Sequence, residues 1–258
     1  MATRKTWNSN FNHEAGINTA EWNFNYWATN GTLGKKHPLT VEAKSQIAFI
    51  NADNELVLKP MRMDTADGNF IWSVHMDTRW KVSTLYGRIE CLAKIPSAKG
   101  MFPAFWMLPE MEHIYGGWPQ CGEIDIMECL CKEPNRIYST IHFGQNATSA
   151  KHRQIQASYT ADVNLSQDYH KYAVEWRKNS LRFFIDEHEI AMFNSWGLHD
   201  SEDGTFPKPF DKPFHIRVNY GMGGGWAGAY DDDVQFGEDN EYRIKYIKIT
   251  ELEDLEND

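Results

Sequence analysis

The stretch GRIECLAKI, at residues 87–95, has the alternation typical of a β-strand with one buried face. Apolar side chains occupy every second position, and charged side chains lie between them. Because successive side chains of a strand point to opposite faces, this spacing places the apolar set in a core and the charged set outside it. The apolar set is Ile89, Cys91, Ala93 and Ile95, and the charged set is Arg88, Glu90 and Lys94.

Similar runs, separated by clusters of Gly, Pro, Asn and Asp, recur along the chain and predict further strands. They lie at residues 46–50, 55–59, 71–76, 136–143, 171–176, 181–186, 214–220 and 242–249. The DEHE stretch at 186–189 predicts a hairpin turn, and no segment of useful length has helical periodicity. Many strands without intervening helices predict an all-β sandwich or jelly roll, formed as a single domain over residues 1–250.

The composition excludes some classes of partner and favours another. The 258 residues carry 26 Lys and Arg against 36 Asp and Glu, and this net charge of −10 argues against nucleic acid or an anionic membrane as a partner. The last eight residues, ELEDLEND at 251–258, hold five of the acids and predict a solvated tail. The chain also has 10 Trp, 11 Tyr and 14 Phe. Since a buried Trp needs a partner for its N–H, so many rings indicate that some are displayed for stacking on sugars.

Two features bear on the compartment. No apolar run has the length of a transmembrane helix, and residues 1–10, MATRKTWNSN, lack the apolar stretch of a signal peptide. The sequence as written therefore predicts either a cytoplasmic protein or a mature or trimmed form.

The four cysteines include no CxxC pair, so we expect reduced thiols buried in strands rather than disulfides or a zinc site.

Residues 118–128, WPQCGEIDIME, hold most of the candidate chemistry. On a strand, Glu123 and Asp125 point the same way, while the isoleucines that follow each of them enter the core. A regular strand would then bury Glu128, which is costly for an unpaired carboxylate, so we predict a one-residue bulge near Met127 that returns Glu128 to the acidic face. Two carboxyls of such a row can serve as nucleophile and acid/base in retaining glycoside hydrolysis, with the central Asp keeping their pKa values apart.

Other interpretations of this acidic row remain open from residue chemistry alone. It can be an exposed strand face that only makes the sheet soluble, although no Lys or Arg partner occurs between residues 118 and 131. Carboxylates at positions i and i+2 can also bind calcium.

The segment GEIDIME at 122–128 resembles the active-site signature of glycoside hydrolase family 16 in its bulged form. Further segments are similar, in order and spacing, to the laminarinase-like branch of that family: YGRIE at 86–90, GMFPAFWML at 100–108, WP at 118–119, YAVEW at 172–176, PFHIRVN at 213–219 and GGGW at 223–226. The resemblance implies a β-jelly-roll sandwich of two antiparallel sheets with an open concave substrate cleft. It also implies that Glu123 is the nucleophile, Asp125 an assisting acid and Glu128 the general acid/base.

Several positions depart from the family pattern. Phe102 stands where these enzymes usually have Trp, and Gly225 where they usually have Asn. Residues 29–43 do not reproduce the run that contributes sugar contacts at the donor end of the cleft. Lys245 occupies a place where the family often has an Asp that helps bind a structural calcium, so we expect no such ion.

Five side chains are candidates for binding substrate. Trp118 lies in a turn rich in Gly and Pro, where its ring can stack on a sugar, and a glycine run precedes Trp226 and can lift it to the cleft. Trp106 lies in an apolar run, so by pattern alone it can equally lie in the core or in the cleft. The resemblance favours the cleft. Arg88 can hold a sugar hydroxyl or a carboxylate, or can be an ordinary surface charge. His142 can face the carboxylates as a substrate contact or as a structural histidine.

The sequence thus predicts an endo-acting, retaining hydrolase of internal β-1,3 bonds in laminarin-type glucan, with mixed-linkage glucan as a further substrate. A galactan hydrolase of agarase or carrageenase type is the alternative. If its substrate were a sulfated galactan, the cleft would need several Arg or Lys side chains to bind the sulfate groups. A non-catalytic carbohydrate-binding sandwich is the alternative from another class, but it would not need all three acids. We expect a monomer that requires no metal or other cofactor, and the resemblance implies a secreted or periplasmic location.

Overall fold

The computed structural model describes residues 5–144, 152–196 and 206–253, and short antiparallel strands are the main secondary structure of these residues. The strands are β1 (Trp7–Asn8), β2 (Asn23–Ala28), β3 (Ala48–Ile50), β4 (Leu56–Leu58), β5 (Met61–Thr65), β6 (Gly68–Asp77), β7 (Ser83–Thr84), β8 (Gly87–Lys94), β9 (Met101–Pro109), β10 (Glu123–Cys129), β11 (Arg136–Gly144), β12 (His152–Thr160), β13 (His170–Arg177), β14 (Ser180–Ile185), β15 (His188–Phe193), β16 (Phe214–Met222) and β17 (Tyr242–Thr250). The α-helices are α1 (Gly31–Lys36), α2 (Val41–Ile47) and α3 (Gly224–Ala227), and single 3₁₀ turns lie at Glu112–Ile114 and Glu238–Asn240.

These strands form two sheets. The larger sheet has the order β12-β11-β10-β9-β16-β6-β2, with β5 beside β6 and β7 beside β16. The smaller sheet has the order β15-β14-β13-β8-β17-β4-β3, with β1 beside β17. Buried apolar side chains from both sheets form one hydrophobic cluster, which extends along the chain from Trp7 to Ile249. The prediction of an all-β sandwich of two antiparallel sheets is confirmed.

The core forms because the strands alternate as their sequences predict. In β8, Ile89, Cys91 and Ala93 are fully buried, whereas the charged side chains between them are only half-buried. Full burial of one large aliphatic side chain stabilises the fold by about 1.5–3 kcal/mol relative to its exposure. All four cysteines are buried and free, as predicted. Cys91 and Cys129 lie in strands, whereas Cys121 and Cys131 lie outside them, so the predicted placement in strands is confirmed for only two.

Two short helices near the N-terminus were not predicted, and the second of them includes the first two residues of the strand predicted at 46–50. Asn30 caps α1 by accepting a hydrogen bond from the amide of Leu33, and Thr40 caps α2 by accepting one from the amide of Ala43. The strand predicted at 46–50 therefore begins only at Ala48. Six- and seven-residue helices are too short to show a hydrophobic repeat, so their capping residues are their main sequence signal.

The remaining elements agree with the predictions in part. Asp186 and Glu187 form the predicted hairpin turn, with φ angles of +47° and +65° that fit a two-residue connection. The strand β12 was not predicted, although Ile155, Ala157 and Tyr159 alternate along it and form a half-buried apolar face that packs against the core. The predicted acidic tail lies mostly outside the described residues, since only 251–253 of it are described. In the described parts of the chain, no helix is long and apolar enough to span a membrane.

Candidate active site

The acidic row lies on β10, between β9 and β11 in the larger sheet. Asp125 pairs with Thr140 and Glu128 with Tyr138, so three steps along β10 correspond to two steps along β11. The same irregularity occurs against β9, and the extra residue leaves Met127 fully buried in the core. The predicted one-residue bulge is confirmed. It returns Glu128 to the face that already holds Glu123 and Asp125.

Burial and mutual repulsion control the protonation of this row. Burial first, and the charge of Asp125 second, raise the pKa of Glu123 to about 8. Burial also raises the pKa of Asp125 well above its ordinary value, and burial together with the charges of Asp125 and Glu123 raises that of Glu128. Three neighbouring carboxyls in a low-dielectric site cannot all ionise, so near neutral pH the row retains protons. A carboxyl that keeps its proton at neutral pH can act as a general acid.

A cluster of rings lies beside Glu123. The indole Nε1 of Trp118 donates a hydrogen bond of 3.1 Å to Glu123 Oε2, and this half-exposed ring packs against His152 with a centroid separation of 4.9 Å. His142 Nε2 lies 3.3 Å from Asp125 Oδ2 and 3.8 Å from Glu123 Oε1. The structure therefore brings two of the predicted binding residues, Trp118 and His142, to the carboxylates.

Trp106 lies on the same face of the sheet, directly opposite Asp125 in the pairing of β9 with β10. Its Nε1 donates a hydrogen bond of 2.6 Å to Asn219 Oδ1. The guanidinium of Arg217 lies 4.3 Å from the centre of the Trp106 ring, and Arg217 Nε donates to His75 Nε2 at 2.8 Å. The predicted position of Trp106 beside the acids, rather than in the core, is thus the one observed.

Trp226 lies near the other end of the row. Its half-exposed ring is in edge contact with Phe102, at 5.4 Å between centroids, and lies 5.1 Å from the ring of Tyr138. Tyr138 pairs with Glu128 across β10 and β11. Aromatic rings therefore stand at both ends of the acidic row.

Arg88 does not belong to this site. It lies on β8 in the smaller sheet, where its guanidinium donates to Glu90, Glu175 and Glu187 at 3.0, 3.2 and 2.7 Å. The prediction that it contacts a sugar or one of the carboxylates is wrong. Alternation correctly placed Arg88 on the polar side of its strand, but that side belongs to the other sheet.

Three residues of the site were missed as candidates. Arg217 and Asn219 alternate with buried aliphatic residues in the predicted strand at 214–220, so strand parity was a signal that could have found them. His152 was missed because β12 was not predicted as a strand. Its parity with Gln154 and Gln156, on the side opposite the apolar residues of β12, was nevertheless a signal for the polar face. His152 comes to the site only through the pairing of β11 with β12, which places its Nε2 2.8 Å from His142 Nδ1.

One group of side chains in this site could hold a metal ion. Among the described residues, Glu123, Asp125 and His142 bring one ligand atom each to within 4.8 Å of one another. Lys245 stands where family 16 enzymes often have an Asp that helps bind calcium. Its ammonium lies 3.9 Å from the centre of the Tyr169 ring.

A β-sandwich whose sheet face carries three neighbouring carboxyls with raised pKa values, flanked by aromatic rings, defines a carbohydrate-cleaving enzyme with a carboxylate mechanism. The model of the glycosyl hydrolases family 16 matches residues 35–248, and the chain belongs to this family. The protein is therefore a glycoside hydrolase with a jelly-roll fold.

Known proteins similar to this chain include glucanases and a keratan-sulfate galactosidase. A beta-glucanase of Rhodothermus marinus is 30% identical over 234 residues, which cover 89% of this chain and 79% of the relative. A keratan-sulfate endo-1,4-beta-galactosidase of Sphingobacterium multivorum is 31% identical over 253 residues, which cover 95% of this chain but only 54% of the relative. The X-ray structure of the laminarinase from Rhodothermus marinus superimposes with a TM-score of 0.76 at 27% identity, covering 96% of this chain and 97% of that one.

Proposed function

We propose that this protein is an endo-acting, retaining hydrolase of β-1,3-glucan. The observation that carries the proposal is the row of Glu123, Asp125 and Glu128, which the bulge places on one face of the sheet between rings at both ends. Rings on both sides of the catalytic carboxyls suit a chain bound by several sugars and cleaved internally. The similarity to a beta-glucanase and to a laminarinase supports β-1,3-glucan as the substrate.

In the first step, Glu128 gives its proton to the glycosidic oxygen while the carboxylate of Glu123 attacks the anomeric carbon. The bond to the leaving sugar breaks, and a glycosyl ester with Glu123 forms. The raised pKa of Glu128 keeps the required proton on this group. Burial and the charge of Asp125 raise the pKa of Glu123. The charges of His142 and Arg217 and the hydrogen bond from Trp118 oppose this rise, and they stabilise the carboxylate form that attacks.

In the second step, Glu128 removes a proton from a water molecule, whose oxygen attacks the same carbon and displaces Glu123. The two inversions together retain the β-configuration. Asp125 lies between the two glutamates in the row, so its charge raises the pKa of each, and its own proton can be shared as their charges change.

The test is a panel of laminarin, lichenan, agarose, carrageenan, keratan sulfate and xyloglucan, scored for new reducing ends and for product length. We expect laminarin to be cleaved fastest, with internal cuts and with the β-anomer formed first by proton NMR. Glu123→Gln should lower kcat by several orders of magnitude while substrate binding persists. Faster cleavage of another polysaccharide would overturn the substrate, and near-normal turnover by Glu123→Gln would overturn the mechanism.

A galactan hydrolase is the second candidate. It is favoured by the keratan-sulfate galactosidase, which is as similar in sequence as the beta-glucanase. The cation of Arg217, on the face that holds the acids, would suit a sulfated sugar. However, Arg217 is a single cation and is already hydrogen-bonded to His75, whereas a densely sulfated chain needs several cations to bind it. Glucan therefore remains the first choice, and the keratan sulfate and carrageenan arms of the panel decide between the two.

We also propose that the protein acts as a monomer, without a cofactor and outside the cytoplasm. The carboxylate mechanism uses only side chains of one chain, and a polysaccharide is met outside the cell. Sedimentation equilibrium tests the oligomeric state, and a dimer at working concentrations would contradict it.

A further inference from the structure

The ligand atoms of Glu123, Asp125 and His142 lie close enough together for small side-chain rotations to bring them around one transition metal ion. His142 Nε2 lies 3.3 Å from Asp125 Oδ2 and 3.8 Å from Glu123 Oε1, and the three ligand atoms all fall within 4.8 Å of one another. A tetrahedral zinc ion has bonds of about 2.0–2.2 Å to nitrogen and oxygen, so its ligand atoms lie about 3.3–3.6 Å apart. Small rotations of these side chains would therefore complete three corners of a tetrahedron, with the fourth corner open to solvent or substrate.

A second observation points to a ligand at the same place. The side chain of Asp125 is 4% exposed, and its Oδ2, the atom nearest to His142, is buried without a hydrogen-bond partner in the described parts of the chain. A buried carboxylate oxygen without a donor is costly. A cation bound at this oxygen would remove that cost and would reduce the repulsion between the neighbouring carboxylates.

The other nitrogen of His142 also has the partner that a metal ligand needs. A metal-bound imidazole usually donates its second N–H to an acceptor, and this contact orients the ring. His142 Nδ1 lies 2.8 Å from His152 Nε2, which can accept that hydrogen bond. With its proton on Nδ1, His142 turns an unprotonated Nε2 toward Asp125 and Glu123.

We propose that Glu123, Asp125 and His142 form a Zn²⁺ site, oriented by His152, and that its occupation inhibits hydrolysis. The imidazole nitrogen selects zinc and similar transition metals over Ca²⁺ and Mg²⁺, which prefer all-oxygen sites. The bound ion occupies a carboxylate that must attack the sugar, so it competes with substrate. The inhibition rests on the proposed role of Glu123, whereas binding of the ion does not.

The site is tested by titrating the chelator-treated protein with Zn²⁺ in a calorimeter and by adding Co²⁺ as a spectroscopic probe. We expect one tightly bound Zn²⁺ per chain, four-coordinate Co²⁺ absorption bands, and no comparable binding of Ca²⁺ or Mg²⁺. His142→Gln should weaken zinc binding at least about tenfold, and His152→Gln about 10–100-fold. As a matched control, His37→Gln removes an imidazole that lies 3.1 Å from the single carboxylate of Asp67, and it should leave zinc binding unchanged.

Circular dichroism of each variant shows whether it is folded. Glu123→Gln and Asp125→Asn change the two other ligands, and each should weaken zinc binding. Unchanged zinc affinity in folded His142→Gln, or stronger binding of Ca²⁺ than of Zn²⁺, would overturn the site. Inhibition should be competitive with substrate and reversed by chelator. Stoichiometric binding that leaves hydrolysis unaffected would overturn the inhibition and would also contradict Glu123 as the nucleophile. Inactivity on every glycan, with zinc binding intact, would instead count against the proposed function alone.

Discussion

Thr140 holds the proposed general acid. Its hydroxyl donates to Glu128 Oε2 at 3.3 Å and accepts a hydrogen bond of 3.1 Å from Gln156 Nε2. Burial is the main reason why the pKa of Glu128 is raised, followed by the charges of Asp125 and Glu123, and the hydrogen bond from Thr140 opposes this rise. Because a general acid must be protonated when the glycosidic bond breaks, this contact bears on the upper pH limit of the reaction.

Thr140→Val should therefore extend activity to higher pH. The substitution keeps the shape of the side chain but removes the donor that favours the ionised carboxylate, so the pKa of Glu128 rises further. The protonated acid then persists to higher pH, and the alkaline limb of the kcat/KM profile moves upward. Profiles measured on a soluble β-1,3-glucan oligosaccharide check this, with Ser158→Ala on the neighbouring strand as a control that should leave the limb in place. A limb that stays or moves to lower pH would count against Glu128 as the acid.

Trp118 combines two contributions that two substitutions can separate. Trp118→Phe keeps a ring for stacking but removes the indole donor to Glu123, so kcat should fall while KM stays close to that of the wild type. Trp118→Ala removes the ring as well, so KM should also rise. The fall in kcat/KM should correspond to a loss of about 1–3 kcal/mol in transition-state stabilisation. Steady-state kinetics on laminarin measure both effects. The same KM in the two variants would show that the ring does not bind sugar.

At the scale of strands, the ion-pair cluster around Arg88 joins β8 to β13 and to the turn between β14 and β15. Arg88 pairs in register with Glu175, and its guanidinium also reaches Glu90 and Glu187. The side chains of Arg88, Glu90 and Glu175 are 15%, 12% and 18% exposed, so the cluster is poorly solvated. Its role is to hold the smaller sheet together.

Arg88→Met should lower stability without affecting substrate binding. Loss of the guanidinium leaves carboxylates that are largely shielded from water without their cation, at a cost of about 1–3 kcal/mol in the free energy of unfolding. KM should not change, because the cluster lies on the other sheet from the acidic row. Denaturant unfolding and laminarin kinetics measure the two quantities, and Lys94→Met, on the same face of β8, controls for the loss of a cation. A raised KM with unchanged stability would restore Arg88 as a sugar contact.

For the whole molecule, we predict that packing of the two sheets around one core provides the stability without a bound ion. Lys245 places its ammonium over Tyr169, so a cation already occupies the surroundings in which a structural calcium was considered. A second positive charge there would be repelled.

For protein purified without added Zn²⁺, chelator should consequently leave both Tm and activity on laminarin essentially unchanged. An ion that binds only the folded state raises Tm by mass action, so its removal would lower Tm. Differential scanning calorimetry with and without chelator measures this, and re-addition of Ca²⁺ serves as the control. A large fall in Tm with activity preserved would reveal a structural ion, and a loss of activity in the folded protein would contradict a mechanism that uses carboxylates alone.

The sequence by itself determined the fold class, the acidic row and its bulge. Alternation is a local property of a strand, so it identifies buried faces without knowledge of the pairing. The bulge was predictable because leaving Glu128 in a core would cost more than one irregular pair in the ladder. The motif resemblance added the roles of the three acids, and these roles stay predictions.

Only the tertiary structure decided which polar faces come together. Arg88 and Trp106 are both half-buried side chains that point away from the core, but they belong to different sheets. His152 reaches His142 through the pairing of β12 with β11, and Arg217 reaches Trp106 through the pairing of β16 with β9. The physical reason is that alternation specifies the two sides of one strand, whereas the neighbour of that strand is selected by hydrogen bonds and packing between segments far apart in sequence.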